Sequence, residues 1–157
     1  MQPIRPNKST IEFERVVPLE WITGRIKEIQ ERVNENRKFK NTKTGNYEVK
    51  TVDELRFVFD LDGYDYNHYS RWMSKSVGEK STLYSKYLKA LVPGLKPDTA
   101  ILPDKLVGIK IKTMWKHEEG KDGNTYEHLE MIVPLQELST QDIIFDELET
   151  HNKDNLL

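Results

Sequence analysis

The chain of 157 residues contains no cysteine. That excludes a disulfide framework, a thiolate metal site and a cysteine nucleophile. It has no apolar run long enough to span a bilayer as a helix. Its opening residues, MQPIRPNKSTIEFERVV, lack the apolar centre of a secretory signal. A cytoplasmic protein with no membrane partner is therefore expected. Glycine-rich phosphate loops and the GxSxG and GxGxxG patterns are missing. The four histidines, His68, His117, His128 and His151, form no HxH or HExxH pair. His117 and His128 could meet across the last hairpin, but two imidazoles without further ligands make a weak metal site. Asp60-x-Asp62-Gly63 hints at a calcium loop, yet glycine falls fourth and Arg71 twelfth. The EF-hand needs glycine sixth and glutamate twelfth, so a plain turn is the simpler reading. No enzyme, cofactor or metal is expected.

Charge is abundant instead. The formal net charge is only -2, but it is unevenly spread. Residues 71–116 hold ten Lys or Arg against three Asp or Glu, and residues 117–157 hold two against eleven. A basic middle can meet phosphates, while an acidic end can meet a basic partner or compete for the same groove. The plain alternative is that these charges solubilise a small domain.

The chain is organised around Leu55–Val77, which reads as a β-hairpin. Leu55, Phe57, Phe59 and Leu61 point one way, and Arg56, Val58, Asp60 and Asp62 the other. Asp62-Gly63 supplies the tight turn. The returning arm carries Tyr64, Tyr66, Tyr69 and Trp72 among His68, Arg71 and Lys75. Aromatics and cations on one ribbon form a platform for stacking flat ligands, nucleic-acid bases above all.

Around this hairpin, residues 1–20 read as an arm, 21–135 as the folded domain and 136–157 as an acidic tail. Thr23–Val33 is a strand whose apolar parity switches near Lys27-Glu28, which predicts a bulge. A helix over 25–33 is the rival, since Ile26, Ile29 and Val33 also fit helical spacing. Asn34–Gly45 is a basic connector with Phe39 among its lysines, either a finger that closes on a phosphate backbone or a solvated loop. Ser81–Val92 is the clearest helix, capped by Ser81, with Leu83, Tyr87, Leu88 and Leu91 as its apolar stripe. Leu106–Lys116 alternates as a strand, and Asp122-Gly123 turns it into Thr125–Val133. There Leu129, Met131 and Val133 are expected to face inward. In the tail, Ile144, Phe145 and Leu148 share a helical spacing suited to packing on the body or docking on a partner.

The resulting order is strand, long basic loop, strand, tight turn, strand, helix, strand, hairpin loop, strand. From roughly Trp21 to Leu135 it resembles the OB-fold, most strongly in TGRIKEI, LRFVFDLDGY, LYSKYLKAL and LVGIKIKTMW. It is similar to OB-fold single-stranded DNA-binding proteins of phages and mobile elements. The resemblance implies a mainly β protein. Its core would be a five-stranded barrel with one helix between strands 3 and 4, plus N- and C-terminal extensions. It implies binding on the face of the second and third strands, with the first and last strand-connecting loops as clamps.

Those strands and the returning arm hold Arg56, Tyr64, Tyr66, Tyr69, Arg71, Trp72 and Lys75. The first clamp holds Arg37, Lys38, Phe39, Lys40 and Lys43, and the last holds Lys121. Arg25 and Lys27 join from the first strand, and Lys110 and Lys112 from the fourth. The implied activity is sequence-tolerant binding of single-stranded DNA, or of RNA, in replication or recombination. A replication or recombination protein on the acidic tail, and a second copy of the chain, are the implied protein partners. Asp60, Asp62 and Asp65 would repel phosphate, so the groove should avoid their turn. The alternative is an OB-fold interaction or structural subunit, with the tyrosines and Trp72 in an interface or core. Co-location discriminates between the two, because binding requires the cations of 25–43 and 71–112 on the aromatic side.

Overall fold

The alternation of Leu55, Phe57, Phe59 and Leu61 is realised as a core face. In the structure, a computed structural model describing residues 15–136 and 138–145, all four side chains are buried. The side chains of Asn34 and Arg37 lie outside the described residues, as do the first fourteen residues and those from 146 onward. The protein is mainly β. Its strands are β1 (Trp21–Lys40), β2 (Tyr47–Leu61), β3 (His68–Tyr69), β4 (Met73–Ser74), β5 (Lys110–Glu119) and β6 (Thr125–Pro134). They form one antiparallel sheet in the order β3-β2-β1-β5-β6, with β4 also on β2. A π-helix, Leu83–Leu88, runs into one α-helical turn, α1 (Lys89–Leu91), and a second turn, α2 (Thr140–Ile143), follows β6. Among the described residues, no helix is long and apolar enough to cross a membrane.

The sheet is not closed into a barrel, which corrects the closed form expected from the sequence. The cause lies in the returning arm. Gly63 makes the turn with φ 84°, but pairing resumes only at Phe59↔His68 and Val58↔Tyr69. The Ser70 N–H still donates to the Phe57 carbonyl at 3.0 Å, and the pairing breaks beyond it. The Ser70 hydroxyl accepts the Phe57 N–H at 2.8 Å and donates to the Arg71 carbonyl at 3.0 Å. A side chain thus takes a place in the ladder, as serine does when it competes with the backbone. Two stubs of two residues each remain, and neither pairs with β6.

The seam is bridged by side chains. His68 Nε2 lies 3.7 Å from Glu127 Oε2. The buried Val16 donates its N–H to Glu127 Oε1 at 3.0 Å, and its carbonyl lies 2.8 Å from His117 Nε2.

The first hairpin is longer than its composition suggests. Residues 34–40, expected as a loop, continue β1 against β2 as far as Lys40↔Tyr47. Only 41–46 turn, held by Asn41, whose side-chain oxygen accepts the Lys43 N–H at 2.9 Å. Extended pairing satisfies the backbone of a polar stretch that has no apolar face to bury. The helical rival for 25–33 is excluded, and a register shift falls between Ile26 and Glu28, where the apolar parity changes. Similarly, β5 begins at Lys110 rather than Leu106, because Pro103–Leu106 winds as a 3₁₀ turn.

In β6 the inward set is Leu129 and Ile132, while Met131 is exposed. The pairs Met114↔Met131 and Trp115↔Leu129 leave Glu130 as the extra residue of a bulge, which flips the parity read from the sequence.

The core lies between the inner sheet face and the helical segment. Leu83, Tyr87, Leu88 and Leu91 pack with Phe57, Phe59 and Trp115. The Ser81 hydroxyl accepts the Tyr84 N–H at 3.2 Å, as a cap does. The buried Trp115 donates its indole N–H to Thr113 Oγ1 at 2.8 Å, and Thr113 donates to the Ile22 carbonyl at 3.1 Å. Past β6, Ile143 is buried and Ile144 pairs with Ile101, so residues 138–145 pack on the body. Leu148 lies outside the described residues.

Candidate nucleic-acid interface

Strand alternation puts one set of side chains on the core face and the other on the opposite face of the sheet. On β2 that opposite set is Glu54, Arg56, Val58 and Asp60, of which Glu54 and Val58 are buried and Arg56 and Asp60 half-buried. The register places Arg32, Gln30, Glu28 and Arg25 of β1 directly opposite them. β3 and β4 extend this face with Tyr69, opposite Val58, and Ser74, opposite Glu54. Trp72 completes it.

The Arg32 and Arg56 guanidinium carbons lie 4.4 and 4.6 Å from the Trp72 ring centroid, and that of Arg56 lies 4.2 Å from Tyr69. Each arginine is held in place from the side. Arg32 donates through Nη2 and Nε to Glu54 Oε1 at 2.7 and 3.0 Å. Arg56 donates through Nε to a neutral acceptor, Gln30 Oε1, at 2.8 Å. Glu54 is buried, so its charge sits beneath the stack. The result is a set of planar, delocalised groups, half-buried except for the exposed Tyr69, a chemistry that takes flat rings and anions together.

A second aromatic position lies further along the same face. Trp21 is 42% exposed, and Lys112 Nζ lies 4.6 Å from its ring centroid. Trp21 opposes Met114, Thr23 opposes Lys112, and Arg25 opposes Lys110. Arg25 Nε contacts Asp60 Oδ2 at 3.3 Å, and the Thr23 hydroxyl donates to Asp62 Oδ2 at 2.6 Å. Asp60 and Asp62, two of the three aspartates at the turn, are thus tied to this face.

The sequence-derived site residues fall into separate groups. Arg56, Tyr69 and Trp72 meet in the stack. Arg25, Lys110 and Lys112 share the outer face of β1 and β5. Lys38, Phe39, Lys40 and Lys43 sit at the far end of the first hairpin, with Lys50 Nζ 5.9 Å from the Phe39 ring. The Arg37 side chain lies outside the described residues. Lys27 donates to Asn67 Oδ1 at 3.1 Å, and Lys75 pairs with Glu31 at 2.9 Å. Tyr64 does not join the stack. Its hydroxyl accepts the Val17 N–H at 3.1 Å and its ring meets His68 edge-on. Tyr66 is exposed in the loop before β3, and Lys121 in the loop after β5.

Two residues of the face escaped the sequence reading, Arg32 and Trp21. Strand parity from Arg25 carries the signal for Trp21. Parity corrected for the bulge at Lys27-Glu28 carries it for Arg32. His117 and His128 do not meet, because His117 opposes Glu127 while His128 opposes Lys116, on the other face. Among the described residues, no three His, Cys, Asp or Glu side chains converge as a metal site requires.

Arg71 turns away from the stack toward the open seam, where its Nη2 donates to Thr82 Oγ1 at 3.1 Å. There Arg71, Lys86, Tyr87 and His128 line a cleft of about 350 Å³. Burial, and then the Arg71 charge, hold Lys86 below the usual lysine range. Burial pushes the Tyr87 phenol up to about 12, against a smaller opposing effect of Arg71 and the Ser70 hydroxyl.

The folded protein therefore holds the Tyr87 proton more tightly than the unfolded chain. Its contribution is full below pH 10 and is lost between pH 10 and about 12. That loss amounts to roughly 2–3 kcal/mol in all. Urea unfolding at pH 9 and pH 11 is expected to show the parent protein losing about 1 kcal/mol more than Tyr87→Phe over that interval. Equal losses would show that the phenol titrates as if exposed.

No protein-family model matches this chain, and no curated protein or solved structure matches it, so the site rests on its own geometry.

Proposed function

We propose that this protein binds single-stranded DNA with little sequence preference, as an OB-type module whose outer sheet face is the binding surface. The observation that carries the reading is the stack of the half-buried Arg32, Trp72 and Arg56 with the exposed Tyr69 on the sheet face away from the core. Every base has a π-face, so aromatic and guanidinium planes hold single strands whatever their sequence, with about 1–3 kcal/mol per stacked base. Lys110 and Lys112 on the same face add attraction for the backbone, while Arg25 is paired with Asp60. The strand arrangement supports the OB reading. β1 lies between β2 and β5, the helical segment precedes β5, and the final hairpin follows it. An order of this kind, with β3 and β4 as two short pieces of the returning arm, fits an OB-type sheet left open at one seam. Replication and recombination are the processes that expose such strands.

The test is fluorescence anisotropy of labelled oligo-dT at low and moderate salt, with mixed-sequence DNA and RNA of equal length alongside. Trp72→Ala is expected to weaken binding about 10- to 100-fold with little change in salt dependence. Failure of the parent protein to bind any of the three at low salt rejects the proposal.

A second reading, an OB-type protein-interaction subunit, is favoured by one feature. Leu19, Trp21 and Met131 are all exposed, with Trp21, Met114 and Met131 in one cross-strand row. Light scattering that shows a stable dimer, broken by Trp21→Ala/Met131→Ala, would favour it.

A further inference from the structure

The far end of the first hairpin does not project alone. It faces the segment that leaves the sheet after β4, and the two enclose a groove of about 510 Å³. Lys38 and Lys40 line one wall. Ser74, Ser76, Lys80 and Thr82 line the other, and among the described residues no carboxylate lines the groove. In a chain with 26 acidic residues, described walls that hold three ammonium groups and no carboxylate have a marked charge bias. The groove also joins the stack. Met73 is buried on the core face beside Leu55 of β2, so Trp72 and Ser74 on either side of it lie on the other face together. Arg71 adds a link from behind, donating to the Thr82 hydroxyl.

We infer that this groove seats the phosphodiester backbone of a single strand running off the Trp72 stack, with Lys38, Lys40 and Lys80 as its phosphate contacts. The inference rests on the single-strand reading above and adds to it a wall of Ser74, Ser76, Lys80 and Thr82, none of them among the site residues expected from the sequence. The chemistry favours phosphate. Lysines act as mobile point charges that suit a row of phosphates, and hydroxyls donate to non-bridging oxygens. The groove is open, as a polymer requires, and Phe39 forms part of the hairpin wall where a sugar or base would lie.

The two sites predict different signatures. Each phosphate contact contributes about 0.7 to the slope of log affinity against log salt for single strands. Lys38→Ala/Lys80→Ala is therefore expected to flatten that slope on a 20-nucleotide oligo-dT by about 1.4, and to weaken binding about tenfold at moderate salt. Trp72→Ala should weaken binding without flattening the slope. Both lysines are exposed, and thermal unfolding of the double variant is expected to match the parent. Lys38→Gln/Lys80→Gln, which keeps a polar side chain but removes the charge, should flatten the slope equally.

A parent protein that binds with a slope unchanged in both double variants overturns the groove and leaves the stack standing. A parent that binds none of the strands overturns both. Poly-glutamate that displaces the oligonucleotide at equal charge concentration would show a site for acidic peptide, and so also overturns the phosphate assignment.

Discussion

Trp115→Ala is expected to lower the unfolding free energy by about 3–5 kcal/mol, near the top of the range for large-to-small changes in a core. Trp115 is 1% exposed and is among the largest fully buried side chains. Its ring meets Phe59 edge-on at 5.9 Å and His68 at the same distance. Removing it takes apolar area out of the core and leaves a cavity that strands on both sides cannot collapse to fill. It also removes the ring against which His68 packs at the open seam, where side chains alone join β3 to β6.

Trp115→Phe separates these terms. It keeps most of the volume but loses the N–H donated to Thr113, so a cost of about 1–2 kcal/mol is expected. Thr113 keeps its own bond to the Ile22 carbonyl, so no donor is left orphaned. Urea unfolding measures both. A cost below 1 kcal/mol for Trp115→Ala would mean that the core is not centred on this ring.

The next largest effect is expected at Gly24, where Ala should cost about 3 kcal/mol. Gly24 lies in the central strand, paired to Leu61 on one side and Ile111 on the other. A Cβ there would run into the Asp60 carbonyl oxygen and would lie 2.9 Å from Leu61 Cα. These are backbone atoms, which cannot rotate aside, so β1 and β2 would have to part. Glycine in a strand interior marks such a close approach.

The damage should also reach the outer face, since Thr23 and Arg25 flank the position and hold Asp62 and Asp60. Thr23→Ala is the control, because it removes one exposed hydrogen bond and should cost no more than about 1 kcal/mol. Equal costs for the two variants would show that the close approach is not what the glycine serves.

The legible parts of the fold were those with a strong local period. Leu55, Phe57, Phe59 and Leu61 form the apolar face expected of them and are buried, although Val58 on the other face is buried too. The helix stripe of Leu83, Tyr87, Leu88 and Leu91 was equally plain, although its first turns are π-wound, which no local signal announced. Parity failed where a bulge inserted a residue. At Lys27-Glu28 the apolar residues themselves change sides, so the bulge could be read. At Glu130 the flanking Met131 and Val133 are as apolar as Ile132, so nothing in the pattern told which faced inward. Residues 34–40 misled for another reason. Their polarity fits a loop, but a strand far from the core needs no apolar face, only a partner for its backbone.

The candidate site divides in the same way. Composition alone determined that aromatics and cations share the returning arm and that the chain's middle is basic. Alternation alone determined that Arg56 lies opposite the core residues of its own strand. Only the tertiary structure decided that Arg32, forty residues before Trp72, lies over its ring. Only the fold turned Arg71 to the seam and Tyr64 to Val17, and set Lys38 across from Lys80. The physical reason is range. A strand's period fixes which side of the sheet a residue faces, whereas the neighbour it meets there depends on register, bulges and turns between distant segments.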